Sequence, residues 1–202
     1  MVSSLQSRPV KGFHFSPLSL LWAGLIILMW CMSLAGALTL VNAQTPWVFW
    51  LWGILVRTFL HTGLFIVTHE AIHGNISGRY WLNDALGYTT SWLYALLPYR
   101  LLAKNHRLHH RFPATEQDPD HHDAEMGQFW IWYIQFMKTY QTGGQVWVTL
   151  VGISVIFCAF MLCQVPTINL FIFWIIPMVL SSLQLFTFGI FLPHRQGNHT
   201  IE

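Results

Sequence analysis

The sequence predicts an all-α integral membrane protein, with four long transmembrane helices in two hairpins and a cytoplasmic, histidine-rich helical cap. Three observations predict it. Of 202 residues, 54% are hydrophobic and 9% charged, where a soluble domain carries about 25% charged residues. Four apolar runs reach the roughly 20 residues needed to cross about 30 Å of hydrocarbon. Most of the charge and most of the histidine fall in one segment between the second and third runs. Eleven tryptophans suit rings anchored at membrane interfaces, and a net charge of +2 leaves no footprint for nucleic acid.

The first run is Leu18–Val41. Val41-Asn42-Ala43 resembles a cleavage site, but an apolar run of about two dozen residues exceeds the roughly 7–15 of a signal sequence, so a retained anchor is expected. The second run, Trp47–Thr68, follows after the short uncharged joint from Asn42 to Pro46. Arg57 and His61 lie inside it one turn apart. Ionisable groups there are expensive and tend to face the bundle interior, with snorkelling as the alternative for Arg57. The third and fourth runs, Val146–Gln164 and Ile168–Leu192, are joined by another short uncharged link. Ala85–Tyr99 is apolar but too short to span, so it is expected to dip into the interface or re-enter. Arg8, Lys11, Arg79, Arg100, Lys104, Arg107, Arg111, Lys138 and Arg195 all flank or separate these runs on one side. The positive-inside rule then puts the N-terminus and the central segment in the cytoplasm. No repeat or linker divides residues 1–202, which are read as one domain. Cys31, Cys158 and Cys163 lie in apolar runs and read as small buried hydrophobes.

Seven of the eleven histidines fall between His69 and His122. In "IVTHEAIHGN", His69 and His73 stand at i and i+4 on one helix face, continuing the second run where it should leave the bilayer. In "NHRLHHRFP", the spacing of His106, His109 and His110 again shares a helical face. Five imidazoles are therefore expected to converge near the cytoplasmic surface. Imidazole-rich ligation suits zinc, iron, copper or nickel. A lone catalytic zinc needs three protein ligands, so five histidines suggest two metals. The stretch "EQDPDHHD" adds Asp118, Asp120, Asp123, His121 and His122. Asp118 and Asp120 are candidates to accept the distal ring N–H of metal-bound imidazoles; the alternative is a solvated turn around Pro119. Single histidines such as His14, His61 or His199 read as ordinary amphipathic side chains.

"FLHTGLFIVTHEAIHG", "LPYRLLAKNHRLHHRFP", "DPDHH" and "SSLQLFTFGIFLPHR", in that order from Arg57 to Arg195, resemble the membrane-bound β-carotene ketolases of the fatty acid desaturase/hydroxylase superfamily. The resemblance implies a non-haem diiron centre that uses O2 to convert the C4 methylene of a β-ionone ring to a ketone. It places His69 and His73 in the first histidine box, His106, His109 and His110 in the second, and Asp118 and Asp120 in the acidic segment beside them. It implies an apolar carotenoid drawn from the bilayer and an external, ferredoxin-like electron donor, since the chain shows no flavin, nicotinamide or cluster motif. His194 is a weak extra ligand candidate.

Two departures stand out. Glu70 stands where these ketolases usually have Asp, and that exchange creates the H-E-x-x-H pattern. No third H-x-x-H-H box follows His110 before Glu202, which leads to the expectation of a sequence truncated at its C-terminus and short of a full metal shell. Competing readings are a carotenoid ring hydroxylase or acyl-lipid desaturase of the same superfamily, and an H-E-x-x-H membrane zinc protease with Glu70 as general base. The last is a membrane protein without chemistry.

Overall fold

A computed structural model describes residues 17–113, 115–121 and 128–195. Its helices are α1 (Pro17–Thr39), α2 (Trp47–His73), α3 (Tyr80–Ala95), α4 (Tyr99–Arg111), α5 (Phe129–Tyr140), α6 (Gln145–Leu162) and a long α7 (Thr167–Phe191) continued by the turn Leu192–Arg195. Four of them (α1, α2, α6 and α7) are long and apolar enough to cross a membrane, in the places where the sequence predicts spans. Helix α2 continues past Thr68 to His73. At about 1.5 Å per residue it rises roughly 40 Å.

Helix α2 is the axis of the fold, packing against α1, α3 and α7. Leu60 and Leu64 form the centre of a core shared with Trp30, Leu34 and Leu38 of α1, Tyr94 of α3, and Leu170 and Trp174 of α7. Gly53 lets α7 approach: a β-carbon there would stand 2.6 Å from the Phe173 ring, and small residues are what allow helices to close on each other in lipid. The outward faces are apolar instead of polar. Trp22, Leu55, Phe59, Val151 and Val155 are exposed, and no residue of α6 is buried, as suits helices solvated by lipid tails. The three cysteines share this setting. They are exposed, correcting the expectation that they pack inside; their apolar surroundings are provided by the membrane, not by the core.

Most of the polar groups inside the bundle find partners there, although Arg57 Nη2 and Asn169 Oδ1 have none. Arg57 is 1% exposed and faces inward, donating from Nε to the Phe173 carbonyl at 2.9 Å and from Nη1 to the Trp30 carbonyl at 2.8 Å. Pro177 lies four residues after Phe173 and has no N–H to offer that carbonyl, so the guanidinium supplies a donor that the helix lacks. The same logic explains the two π-helical stretches of α7, Phe171–Ile175 and Phe186–Phe191. Each contains the residue four positions before a proline, Pro177 or Pro193, where the ring would meet the carbonyl of a regular α-turn. His61, fully buried, accepts from Trp30 Nε1 at Nδ1 (3.1 Å) and reaches the Tyr94 carbonyl with Nε2 (2.8 Å). That pairing requires the neutral Nε2–H tautomer.

Two chain reversals set the site. Gly74 ends α2 with φ 75°, a conformation glycine adopts at little cost, and Asn75 N–H closes the turn on the Glu70 carbonyl at 3.0 Å. Buried Asn83 then ties the loop to α3, accepting from the Ile76 and Ser77 amides and donating to the Ser77 carbonyl. Helix α3 ends at Leu96, itself left-handed with φ 55°, and Pro98 leads into α4. The apolar run Ala85–Tyr99 is thus the greater part of a 16-residue helix lying along α2, plus its turn.

If Arg57 compensates for Pro177, Arg57→Leu should lower stability in detergent by about 1–3 kcal/mol, because the buried Phe173 carbonyl loses its donor while the Trp30 carbonyl keeps Ser33 Oγ. In a Pro177→Ala background the loss should be smaller, since alanine at that position restores an N–H for the Phe173 carbonyl. Equal losses in both backgrounds, read by thermal unfolding, would remove this coupling.

Candidate metal centre

Helix α2 presents His69 and His73 on its last two turns, and α4 presents His106 and His110 across from them. Ring centroids lie 4.5 Å apart for His69–His106, 4.8 Å for His73–His106 and 4.9 Å for His73–His110. One nitrogen from each of the four lies within 4.8 Å of the others. The Nε2 atoms of His73 and His106 approach to 2.8 Å, and those of His106 and His110 to 3.0 Å. Adjacent ligands of a six-coordinate ion at about 2.1 Å stand roughly 3 Å apart, so the donor set fits a transition-metal cation. Burial first, then crowding by the other imidazoles, pushes His106 down to about 3. It is therefore neutral at physiological pH with a lone pair to give.

His109 is set apart. One residue on an α-helix is a turn of about 100°, so it cannot share the heading of His110. It faces the turn after α4, where its Nδ1 meets both carboxylate oxygens of Asp118 at 3.0 Å and lies 3.8 Å from Asp120 Oδ2. The turn is not solvated: Asp118 is 4% and Asp120 5% exposed. Asp118 Oδ1 also accepts the Asp120 amide, and Asp120 Oδ1 accepts the Tyr140 hydroxyl of α5 at 2.8 Å. Burial and the neighbouring Asp120 raise the Tyr140 phenol well above its ordinary value, so it holds its proton and donates. A carboxylate on Nδ1 fixes the tautomer that leaves Nε2 basic. The structure thus brings four of the five box histidines together and places His109 beside them with both predicted aspartates. Tyr140, on a helix the sequence reading did not single out, was missed; an aromatic in an aromatic-rich run gives no signal that it reaches a carboxylate.

Glu70 is engaged on both oxygens, with His69 Nδ1 at 2.9 Å and Asn75 Nδ2 at 2.8 Å. Both of its oxygens are thus occupied by neighbouring side chains of the α2 end and its turn. His122 and Asp123, along with Arg8, Lys11, His14 and His199, lie outside the described residues, as does the side chain of His194.

A cavity of about 180 Å³ adjoins this region, lined by Phe65, Leu102, Tyr133, Phe136, Tyr140 and others. Phe65 is one turn before His69, and Leu102 one turn before His106, so the cavity and the histidines share two helices. Tyr140 lines the cavity and bonds Asp120.

The cluster forms where membrane-long α2 ends against α4, beside an apolar cavity, and its four nitrogens could hold a metal ion. Residues 44–149 match the family model described as fatty acid desaturase, an interval containing α2–α5 and every histidine of the cluster. A β-carotene ketolase of Paracoccus sp. (strain N81106 / MBIC 01143) is 35% identical over 89% of this chain and 72% of its own. A zeaxanthin 4-ketolase of Chlamydomonas reinhardtii is 34% identical over 89% of this chain and 40% of its own. The omega-3 fatty acid desaturase fat-1 of Caenorhabditis elegans is 36% identical over 40% of this chain and 18% of its own. No solved structure matches the chain significantly. The chain belongs to the fatty acid desaturase family, and within it is a ketolase-like oxidoreductase.

Two outcomes follow for the site. Because His106 has a folded-state value of about 3, below its ordinary 6.5, protons favour the unfolded chain between them. Metal-free protein should hold its stability above pH 6.5 and lose it as pH falls toward 3; a midpoint flat across that window would contradict this. Asp118→Asn should weaken ferrous iron binding by about 10- to 100-fold, measured by metal titration, with little change in helix content.

Proposed function

We propose that this chain oxidises the C4 methylene of a β-ionone ring to a ketone, using O2 and an iron pair to which His69, His73, His106, His109 and His110 contribute ligands. The observation that carries this reading is the apolar cavity sharing α2 and α4 with the histidine cluster, in a chain whose relatives include β-carotene ketolases. When bound, the iron pair supplies O2 activation and hydrogen removal from an unactivated carbon.

The residues do the rest. Neutral imidazoles keep the centre cationic. Asp118 and Asp120 hold His109 in one tautomer, and Tyr140 ties that pair to the cavity wall. Phe65, Leu102 and Phe136 exclude water and orient the ring. Two successive hydroxylations at one carbon yield a geminal diol, which loses water to give the ketone. Overall, one methylene, two O2, four electrons and four protons give one carbonyl and three waters. The electrons come from a separate, ferredoxin-like donor.

Arg79, Arg100, Lys104, Arg107, Arg111 and Lys138 all lie between α2 and α6, and Arg195 follows the last span. This supports a cytoplasmic cap over two helical hairpins, with the N-terminus on the same side, and a single desaturase-like domain.

The test is iron-loaded protein with β-carotene, O2 and reduced ferredoxin, its products identified by mass. A carbonyl at C4 supports the proposal. A product stopping at the alcohol would make the chain a ring hydroxylase, and desaturation of acyl lipid would make it a desaturase. His109→Ala should abolish ketone formation and lower bound iron, whereas Glu70→Asp should keep most of the activity. Peptide hydrolysis lost in Glu70→Asp would replace the oxygenase with a zinc protease.

A further inference from the structure

We infer that the cleft between α3 and α4 binds the phosphate headgroup of an anionic lipid, held by Arg100 and Arg107 and flanked by Lys104 and Arg111. Helix α4 carries these four cations and no acidic residue. At about 100° per residue they fall within an arc of about 60° on the helix, and all four are exposed. His106 and His110 occupy a neighbouring face, turned toward α2. The metal cluster therefore does not account for the cationic stripe. Nor do internal ion pairs: among the described residues, every carboxylate pair is with a histidine. Arg100 Nε donates to the Tyr88 hydroxyl at 2.6 Å. That bond orients the guanidinium and leaves its two terminal nitrogens for a ligand.

The stripe stands at headgroup depth. Helix α4 faces the last two turns of α2, after the apolar run of that helix has ended at Thr68. Helix α3 adds the exposed rings of Tyr80, Trp81, Tyr88 and Trp92, and Tyr and Trp concentrate where hydrocarbon meets headgroups.

Between the two helices and the end of α2 lies a cleft of about 620 Å³, lined by His73, Tyr80, Asp84, Tyr88, Arg100 and Arg107 among others. Two arginines against one aspartate leave it cationic. Guanidinium groups match phosphate oxygens in two-pronged hydrogen bonds, and basic pockets beside membrane-spanning helices take anionic headgroups. An acidic protein would need a docking face of about 800 Å². A headgroup needs only the cleft, and its acyl chains can lie along the apolar outer face of α3.

The experiment places the full chain in phosphatidylcholine nanodiscs and compares the association of spin-labelled phosphatidylglycerol with that of spin-labelled phosphatidylcholine. Wild-type protein should select the anionic lipid. Arg100→Gln and Arg107→Gln should each cut that selectivity by about fivefold, the worth of one cation at an anionic surface, with helix content unchanged. Lys138→Gln, a cation of α5 that does not line the cleft, should leave it intact. Equal losses in all three variants would reduce the effect to net charge and overturn the proposal. Absence of selectivity in wild-type protein would overturn it too, whatever the variants do. Arginine-dependent binding of inorganic phosphate or of ferredoxin, in nanodiscs where neither lipid is preferred, would assign the cleft to a free anion or to the electron donor. Either result would likewise overturn the lipid assignment.

Discussion

A helix of 27 residues rises roughly 40 Å, about 10 Å more than the hydrocarbon of a bilayer, and the candidate site is built on that excess. His69 and His73 occupy the last two turns of α2, after its apolar run has ended at Thr68, and are aligned by the same continuous helix. A shorter α2 would leave the imidazoles in hydrocarbon, where a cation and its ligands are poorly solvated. A flexible extension would lose the i, i+4 register. Because α2 is also the element against which α1, α3 and α7 pack, the position of the histidines is fixed by the same contacts that hold the bundle.

Lipid leaves polar groups to find partners inside the protein, and the bundle does so for most of them. Pro177 and Pro193 remove donors from α7, and the helix widens at both places. At one of them a guanidinium from α2 fills the gap. The Trp30–His61–Tyr94 chain links α1, α2 and α3 in the same way. These contacts explain why ionisable side chains are tolerated on a spanning helix without needing a role in chemistry.

At the site, hydrogen bonds run outward from the histidine cluster. His109 leans on Asp118, Asp118 positions Asp120 through its amide, and Asp120 holds Tyr140. A cavity-lining phenol is thereby connected to an imidazole beside the cluster through buried hydrogen bonds. The arrangement joins the histidine region and the wall of the apolar cavity in one hydrogen-bonded network.

The sequence by itself determined the spans, because about 20 apolar residues have few alternatives to crossing a membrane. It also determined the two i, i+4 histidine pairs, because helical periodicity fixes which side chains share a face. What it left open were relations between segments far apart in the chain. Whether α4 faces α2, why His109 parts from His110 toward Asp118, how Tyr140 reaches Asp120, and that Cys31 and Cys158 point outward all depend on how the helices pack. The turns at Gly74 and Leu96 decide those relations by reversing the chain twice within a few residues. Local patterns read one helix at a time, whereas a site assembled from α2, α4, the turn 115–121 and α5 exists only once tertiary packing has fixed their rotation about their own axes.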